Sequence, residues 1–509
     1  MVSSARRAVA ALRSAPWIRE HALVSAVFVI TRAALHLAEI RFNLILNWMF
    51  LCDPADLRDR LFEAIYYGHA YPPGMNLLTG LLLKLGDSEV ARVAHASFQL
   101  CGLVLVNSLF YLLRASGTSV ATAFAVSAAF TLVPPSIYFE HLYLWTYPVA
   151  ALLCLAASLF HRAVSRPSFW PWFAFFLVCA ALGWIRSTFH LAWFGGMVGL
   201  GVWVSDAPGR RRVLAAAAGP ALLLLALYLK NLAVFGVFGA STSAPANLTT
   251  MTVKRLPDDV RDAWVREGKL SHFASVSVYA GPRQYLPYFQ TIENPKWPPM
   301  LNMLERPSLA SPNFNHWFFL EVNPRRRADA LHCLWARPGD YVATALENLK
   351  RLFQPSTEWH PRDKTPASPH HQNRQVLGRY EALYNGVIHG FPVAPVGLYL
   401  LLPLAYAWAL GRAKELVRSR DDPGKSPAGD AAASPAGDPD TTARGWLLYF
   451  CLVQIGFVVA ASTLFSFAET SRYRYEVESL IWLVATLFVA SLSGRIRPRI
   501  HREAAAGAS

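Results

Sequence analysis

Apolar runs of about 18–22 residues recur along the whole of this chain, at 22–40, 93–113, 118–135, 142–162, 169–185, 188–204, 213–235, 391–411, 445–466 and 476–494. A helix of roughly 20 residues spans about 30 Å of hydrocarbon. The runs therefore predict an all-α polytopic membrane bundle of about ten transmembrane helices rather than several soluble domains. Composition agrees. Charged residues make up 16% of the 509, against roughly 25% in soluble domains, and mean hydropathy is +0.27.

The formal charge of +15 has a local explanation. With the N-terminus inside, Arg6, Arg7 and Arg13 precede the first run. Arg114, then Arg162 and Arg166, then Arg210, Arg211 and Arg212 follow in the next inner loops. Arg412, Lys414, Arg418 and Arg420 come next, and Arg495, Arg497 and Arg499 come last. Every basic cluster beside a run falls on one side, the positive-inside pattern, with both termini cytoplasmic. The charge needs no nucleic-acid partner. The arginines before the first run resemble the basic region of a signal peptide, but no small-residue cleavage site follows, so a retained first helix is expected.

Two outer loops are long, and the first, 41–92, has structure of its own. From Asp56 to Tyr67 apolar residues fall at 57, 61, 62, 65 and 66, the spacing of an amphipathic helix lying flat at an interface. Tyr71-Pro72-Pro73-Gly74 is a turn, and Met75 to Leu85 forms a second interfacial helix too short to span. The second loop, 236–390, is too long for a linker and predicts an external, periplasmic domain of mixed structure. The chain thus divides into a membrane module 1–235, the external domain 236–390 and a second membrane module 391–509. An inner stretch at 421–443, with PAGD twice, reads as a disordered linker. Six cysteines show no metal-ligand spacing. Cys52 and Cys333 both fall in outer loops, where a disulfide is an open possibility.

Ionisable groups are costly at membrane depth and default to functional hypotheses. Here they crowd the outer ends of the runs. Asp53, Asp56 and Asp59 open the first outer loop, and His69 and Tyr71 follow. Glu140 and His141 come after Pro134-Pro135, Arg186 sits in a tight turn, and Glu469, Arg472, Tyr473, Arg474, Glu476 and Glu478 fill the last outer loop. Arginines grip phosphate by bidentate hydrogen bonds, and a carboxylate takes a proton from a hydroxyl or amine nucleophile. Together they suit attack on a sugar whose leaving group is a phosphate. Each residue also has a structural reading. Asp53 before Pro54 is an N-cap pattern, Asp59 a solvated face residue, Arg474 with Glu476 or Glu478 an ion pair, and Arg186 a snorkelling side chain. Arg32 and Glu39 in the first run are placed to pair with neighbouring helices. His370-His371 lacks a spaced third ligand, so no metal is expected. Asn247-Leu248-Thr249 matches the glycosylation pattern.

The same residues resemble the C-type glycosyltransferases of the GT-C fold, the class of the protein O-mannosyltransferases and the lipid A aminoarabinose transferase. The similar stretches are Cys52-Asp53-Pro54-Ala55-Asp56, then Tyr71-Pro72-Pro73-Gly74 to Leu83-Lys84-Leu85-Gly86, Ala91-Arg92, and Arg472-Tyr473-Arg474-Tyr475 before the last run. The likeness covers the first hundred residues and the last run; the middle runs agree in layout only. Pro54 stands where the class has a second adjacent acid, so the base lies between Asp53 and Asp56. The resemblance implies a polyprenyl-phosphate-sugar donor, an envelope acceptor (lipid, glycan or protein), an inverting direct displacement and no cofactor; the Ala/Arg-rich composition and short inner loops suggest a bacterial source, and so the outer face of an inner membrane. It implies Arg472 and Arg474 as phosphate holders; Arg186 joins them by position and charge. His69, Tyr71, Glu140, His141, Glu469 and Tyr473 are candidate substrate contacts. The rival readings are a transporter or flippase of lipid-linked glycan, a polysaccharide ligase or polymerase, and a non-catalytic subunit presenting 236–390 to a partner.

Overall fold

The computed structural model describes residues 16–47, 50–359, 368–390, 399, 401–418 and 439–493. It is almost wholly helical. The bundle begins with α1 (Pro16–Leu37), followed by three short helices of the first outer loop, α2 (Pro54–Asp59), α3 (Leu61–Tyr67) and α4 (Gly74–Leu83). Then come α5 (Asp87–Ala115), α6 (Val120–Leu132), α7 (Pro134–Glu140), α8 (Thr146–Ser165), α9 (Phe169–Ile185), α10 (Leu191–Val204) and α11 (Ala207–Phe235). The segment after α11 holds α12 (Ala244–Met251), α13 (Asp258–Arg266), α14 (Pro299–Asn302), α15 (Phe318–Ala336), α16 (Pro338–Arg351) and α17 (Pro369–His389). A two-residue antiparallel pair, β1 (Glu305–Arg306) with β2 (Ser311–Pro312), is its one sheet among the described residues. The chain closes with α18 (Leu402–Arg418), α19 (Pro439–Phe465), α20 (Thr470–Glu476) and α21 (Glu478–Leu492).

Nine of the ten apolar runs lie on described helices, 118–135 across the break between α6 and α7, and the described part of 391–411 enters α18 at Leu402. Five helices, α1, α5, α8, α11 and α19, are long and apolar enough to cross a membrane. Two bent pairs, α6 with α7 and α20 with α21, bring the number to seven if each pair is one span. The α6–α7 break lies at Pro134-Pro135, where proline removes helix donors and drives Val133 into an extended conformation. The helices are punctuated by local chemistry. Ser119 caps α6, His190 caps α10, and Asp206 caps α11 by accepting from Gly209 N–H at 3.0 Å. Gly236 ends α11 in the left-handed conformation that glycine adopts without strain.

The core between the helices is aromatic, with Phe160, Trp172, Phe175 and Phe450 packed ring to ring. Leu37, Leu222 and Val489 are exposed, as apolar side chains facing hydrocarbon are. Arg32 of α1 does pair with a neighbour. It meets Glu140 at the end of α7 at 2.5 Å, both side chains buried. Glu39 is exposed, with Arg41 at 4.0 Å.

The two long segments, 41–92 and 236–390, pack on one another. Arg306, 1% exposed, donates to the carbonyls of Leu46, Asn47 and Leu51. His69 N–H donates to the Asn315 side-chain oxygen at 2.9 Å. Cys52 and Cys333 are free thiols in separate surroundings: Cys52 donates to Ala64 O, and Cys333 packs with Val253, Leu256 and Leu270. The N-terminal arginines, Arg495 to Arg499, and 421–438 of the expected linker lie outside the described residues; 439–443 open α19. The run 391–411 is described only in part.

Candidate functional site

A cavity of about 840 Å³ opens at the end of the bundle that carries the two long segments. Three parts of the chain build its charged wall. The first is the turn between α9 and α10. Gly74 lets the start of α4 press against the end of α9, since a Cβ there would meet the Trp184 carbonyl oxygen at 2.7 Å. Arg186 ends α9 in extended conformation, with its N–H on Leu182 O at 2.8 Å, and its side chain turns into the cavity.

The second part is α20. Its first turn presents Glu469, Arg472 and Tyr473 to the cavity. Arg472 Nη2 donates to Glu469 Oε2 at 2.5 Å, and Nη1 to Thr146 Oγ1 at 3.3 Å. The Arg186 guanidinium lies 3.9 Å from the centre of the Tyr473 ring, a cation–π contact that fixes its direction. The third part is Arg351, at the end of α16, held by Glu347 at 2.8 Å.

Beneath Arg186 lies Glu476. Arg186 Nη1 and Glu476 Oε1 are 2.5 Å apart, but the approach is off the N–H axis. Neither Glu476 oxygen accepts a hydrogen bond from a described residue. The contact is one of charge, between side chains 5% and 0% exposed. Burial works against the Arg186 charge; Glu476 and the Tyr473 phenol outweigh it and hold the guanidinium above its ordinary pKa.

The other walls are aromatic. Phe50, Tyr71, Trp145, Tyr279 and Phe314 line the cavity, and Tyr71 lies 5.3 Å from Trp145, centre to centre. Burial, with Glu469 adding, pushes the Tyr71 phenol up, so it stays a neutral hydroxyl. Apolar walls with a few convergent polar groups are the composition of a ligand site.

Of the residues singled out in the sequence, Tyr71, Arg186, Glu469, Arg472 and Tyr473 meet here. Asn247 of the glycosylation pattern apart, the others do not line the cavity. Asp53 is the N-cap of α2, accepting from Ala55 N–H at 2.8 Å. Its oxygens also accept from Ser308 N–H at 2.9 Å and Ser308 Oγ at 2.6 Å. Asp56 pairs with Arg60 one turn on. The catalytic assignment to Asp53 and Asp56 therefore finds no support in this geometry. Both are buried, both are occupied, and they line only a separate void of about 10 Å³ beside Arg306.

Arg474 points away from the cavity. It donates to Glu478 at 3.0 Å and to the carbonyls of Gln354 and Leu352, and stacks on Tyr399 at 4.4 Å. It fastens the segment after α16 to the last helix. Glu140 accepts from Arg32 and from the Tyr147 hydroxyl at 2.7 Å. His141 donates from Nδ1 to Ile137 O at 2.8 Å. His69 joins Thr242 at 2.7 Å and Asn315 O at 2.9 Å, and burial pushes its pKa down to about 3.

Asn247 of the glycosylation pattern lines the cavity. The His370 side chain lies outside the described residues. One group outside the cavity has the composition of a metal set: His95, Glu140 and His141, with ligand atoms within 4.8 Å of one another. Its carboxylate is already neutralised by Arg32, which leaves that set short of a free anion.

Trp145, Arg351 and Tyr279 were not singled out in the sequence. Trp145 had a signal, standing in the same outer turn as Glu140 and His141. Arg351 and Tyr279 had none, because only folding of the second outer loop brings them in. Comparison with protein-family models, curated proteins and solved structures matches none of them.

Proposed function

We propose that this chain is a membrane glycosyltransferase of the C-type class, moving a sugar from a polyprenyl-phosphate donor to an acceptor of the cell envelope. The observation that carries the proposal is the cavity's wall: Arg186 and Arg472 beside one carboxylate, Glu469, among aromatic rings. In the proposed reaction the arginines hold the donor phosphate and stabilise the charge that grows on it as the glycosidic bond breaks. Glu469 orients the acceptor's hydroxyl or amine and takes its proton as the new bond forms at the opposite face of the anomeric carbon. The sugar is inverted, and polyprenyl phosphate leaves. Asp53 serves the fold by joining the two long loops through Ser308, and Asp56 by pairing with Arg60.

The proposal includes ten spans with both ends on the arginine-bearing side, the cavity on the outer side of a bacterial inner membrane, and 236–390 as the external domain. The arginines assigned to the inner side gather accordingly: Arg114 from one loop and both Arg162 and Arg166 from the next loop line one cavity at the far end of the bundle.

The test is turnover in proteoliposomes. A panel of polyprenyl-phosphate sugars is offered with an envelope extract as acceptor, and release of polyprenyl phosphate is followed. Release with at least one donor supports the reading. No release from any donor with acceptor present turns it toward a transporter of lipid-linked glycan.

A further inference from the structure

The far end of the bundle holds a second cavity, of about 690 Å³, between α1, α5, α8, α9 and α19. Its charged lining is Glu20, Arg114, Arg162, Arg166 and Asp440, with Trp17 at the rim. Arg114 is engaged, with Nε 3.4 Å from Glu20 and Nη1 donating to Thr118 O at 2.6 Å. Arg162 lies over the Tyr111 ring at 4.8 Å. Among the described residues neither Arg162 nor Arg166 has an acidic partner within 4 Å. A fourth arginine stands beside them, since Arg212 donates to Pro167 O at 2.6 Å, one residue past Arg166.

The depth of this cavity is marked by other side chains. Trp17, Trp170 and Trp203 are 57%, 71% and 67% exposed and sit at the N-terminal ends of α1 and α9 and the C-terminal end of α10. Exposed tryptophans gather at headgroup level in membrane proteins. A space between helices at that level, with arginines in excess of carboxylates, two of them in contact with none, and an aromatic rim, suits an anionic headgroup and excludes a purely apolar ligand.

We propose that this cavity binds a phosphate ester, that of an anionic glycerophospholipid, with Arg162 and Arg166 taking the phosphate oxygens and Trp17 packing on the glycerol and upper chains. The inference does not depend on the reaction proposed for the opposite end. Soluble phosphate has the same recognition chemistry, and the experiment separates the two.

The full chain is purified in a neutral detergent, and its thermal unfolding is followed against added phosphatidylglycerol, phosphatidylcholine or inorganic phosphate. Phosphatidylglycerol is expected to raise the unfolding temperature saturably, and phosphatidylcholine is not. In Arg162→Ala/Arg166→Ala the apparent affinity is expected to fall roughly 25-fold, about five-fold for each arginine facing an anionic lipid. Both side chains are exposed, so the variant folds. Arg266→Ala, on the outer-loop segment, should bind as wild type. Protection by inorganic phosphate at equal phosphate concentration keeps the phosphate site but overturns the lipid. Equal response to phosphatidylcholine, or unchanged phosphatidylglycerol affinity in the double variant, overturns the site itself.

Discussion

Arg186 at the end of α9 and Glu476 at the end of α20 stand 2.5 Å apart, with the carboxylate fully enclosed. The pair joins two helices that meet only through the fold and leaves the guanidinium facing the cavity. Removing one partner of a buried pair costs about 3–5 kcal/mol, because a charge is left uncompensated. Glu476→Gln is expected to lose stability of that order in detergent. Arg186→Met/Glu476→Met should recover most of it while remaining without turnover. Thermal unfolding of the two singles and the double measures the coupling; simple additivity contradicts it.

Asp53 gives a prediction with two sides. As an N-cap it is replaceable by Asn, which keeps the oxygen on Ala55 N–H and loses only the acceptor of Ser308 N–H, but not by Ala, which costs about 1 kcal/mol at such positions. The Ser308 contacts add to that loss in Ala. Asp53→Asn is expected to unfold within a few degrees of wild type, and Asp53→Ala clearly lower. Equal unfolding temperatures for the two variants contradict the capping role.

His69 makes the outer-loop body acid-sensitive. Its folded pKa, about 3, lies below the ordinary 6.5. The unfolded chain therefore binds the extra proton first. The stability held by neutral His69 is complete above about pH 6.5 and is lost progressively as pH falls toward about 3. The slope of unfolding temperature against pH in that window is expected to flatten in His69→Gln. A slope unchanged by the substitution contradicts the assignment.

The cysteines are expected to behave as buried thiols. Cys52 is pushed up to about 12, by burial first and then by Asp56, so little thiolate forms at neutral pH. Alkylation of Cys52 and Cys333 should proceed only after unfolding, with identical labelling with and without prior reduction. A gain of two labels on reduction would reveal a disulfide.

The elements were far more legible in the sequence than the site. A span needs about 20 apolar residues of its own, so every run could be found locally, and the Pro134-Pro135 break with it. The helix expected over 56–67 is there but divided at Arg60. The N-cap reading of Asp53 needed only its neighbours. What partners a polar side chain is a long-range fact. Asp53 and Ser308 are 255 residues apart, and no local pattern says that Ser308 will fill the lone pairs of a carboxylate expected to act as a base. Arg472 and Arg474 look equivalent in Arg472-Tyr473-Arg474-Tyr475. Helix α20 turns the first toward the cavity and the second into the packing against Leu352 and Gln354.

The proposed reaction places its proton transfer on Glu469. The most direct measurement is donor turnover in proteoliposomes by Glu469→Gln and Asp53→Asn, each compared with wild type at matched folded protein. A lost general base lowers turnover by roughly 10²–10⁴-fold. Such a fall is expected for Glu469→Gln, with near wild-type turnover for Asp53→Asn. Full activity in Glu469→Gln with loss in Asp53→Asn would contradict the placement of the active site in this cavity.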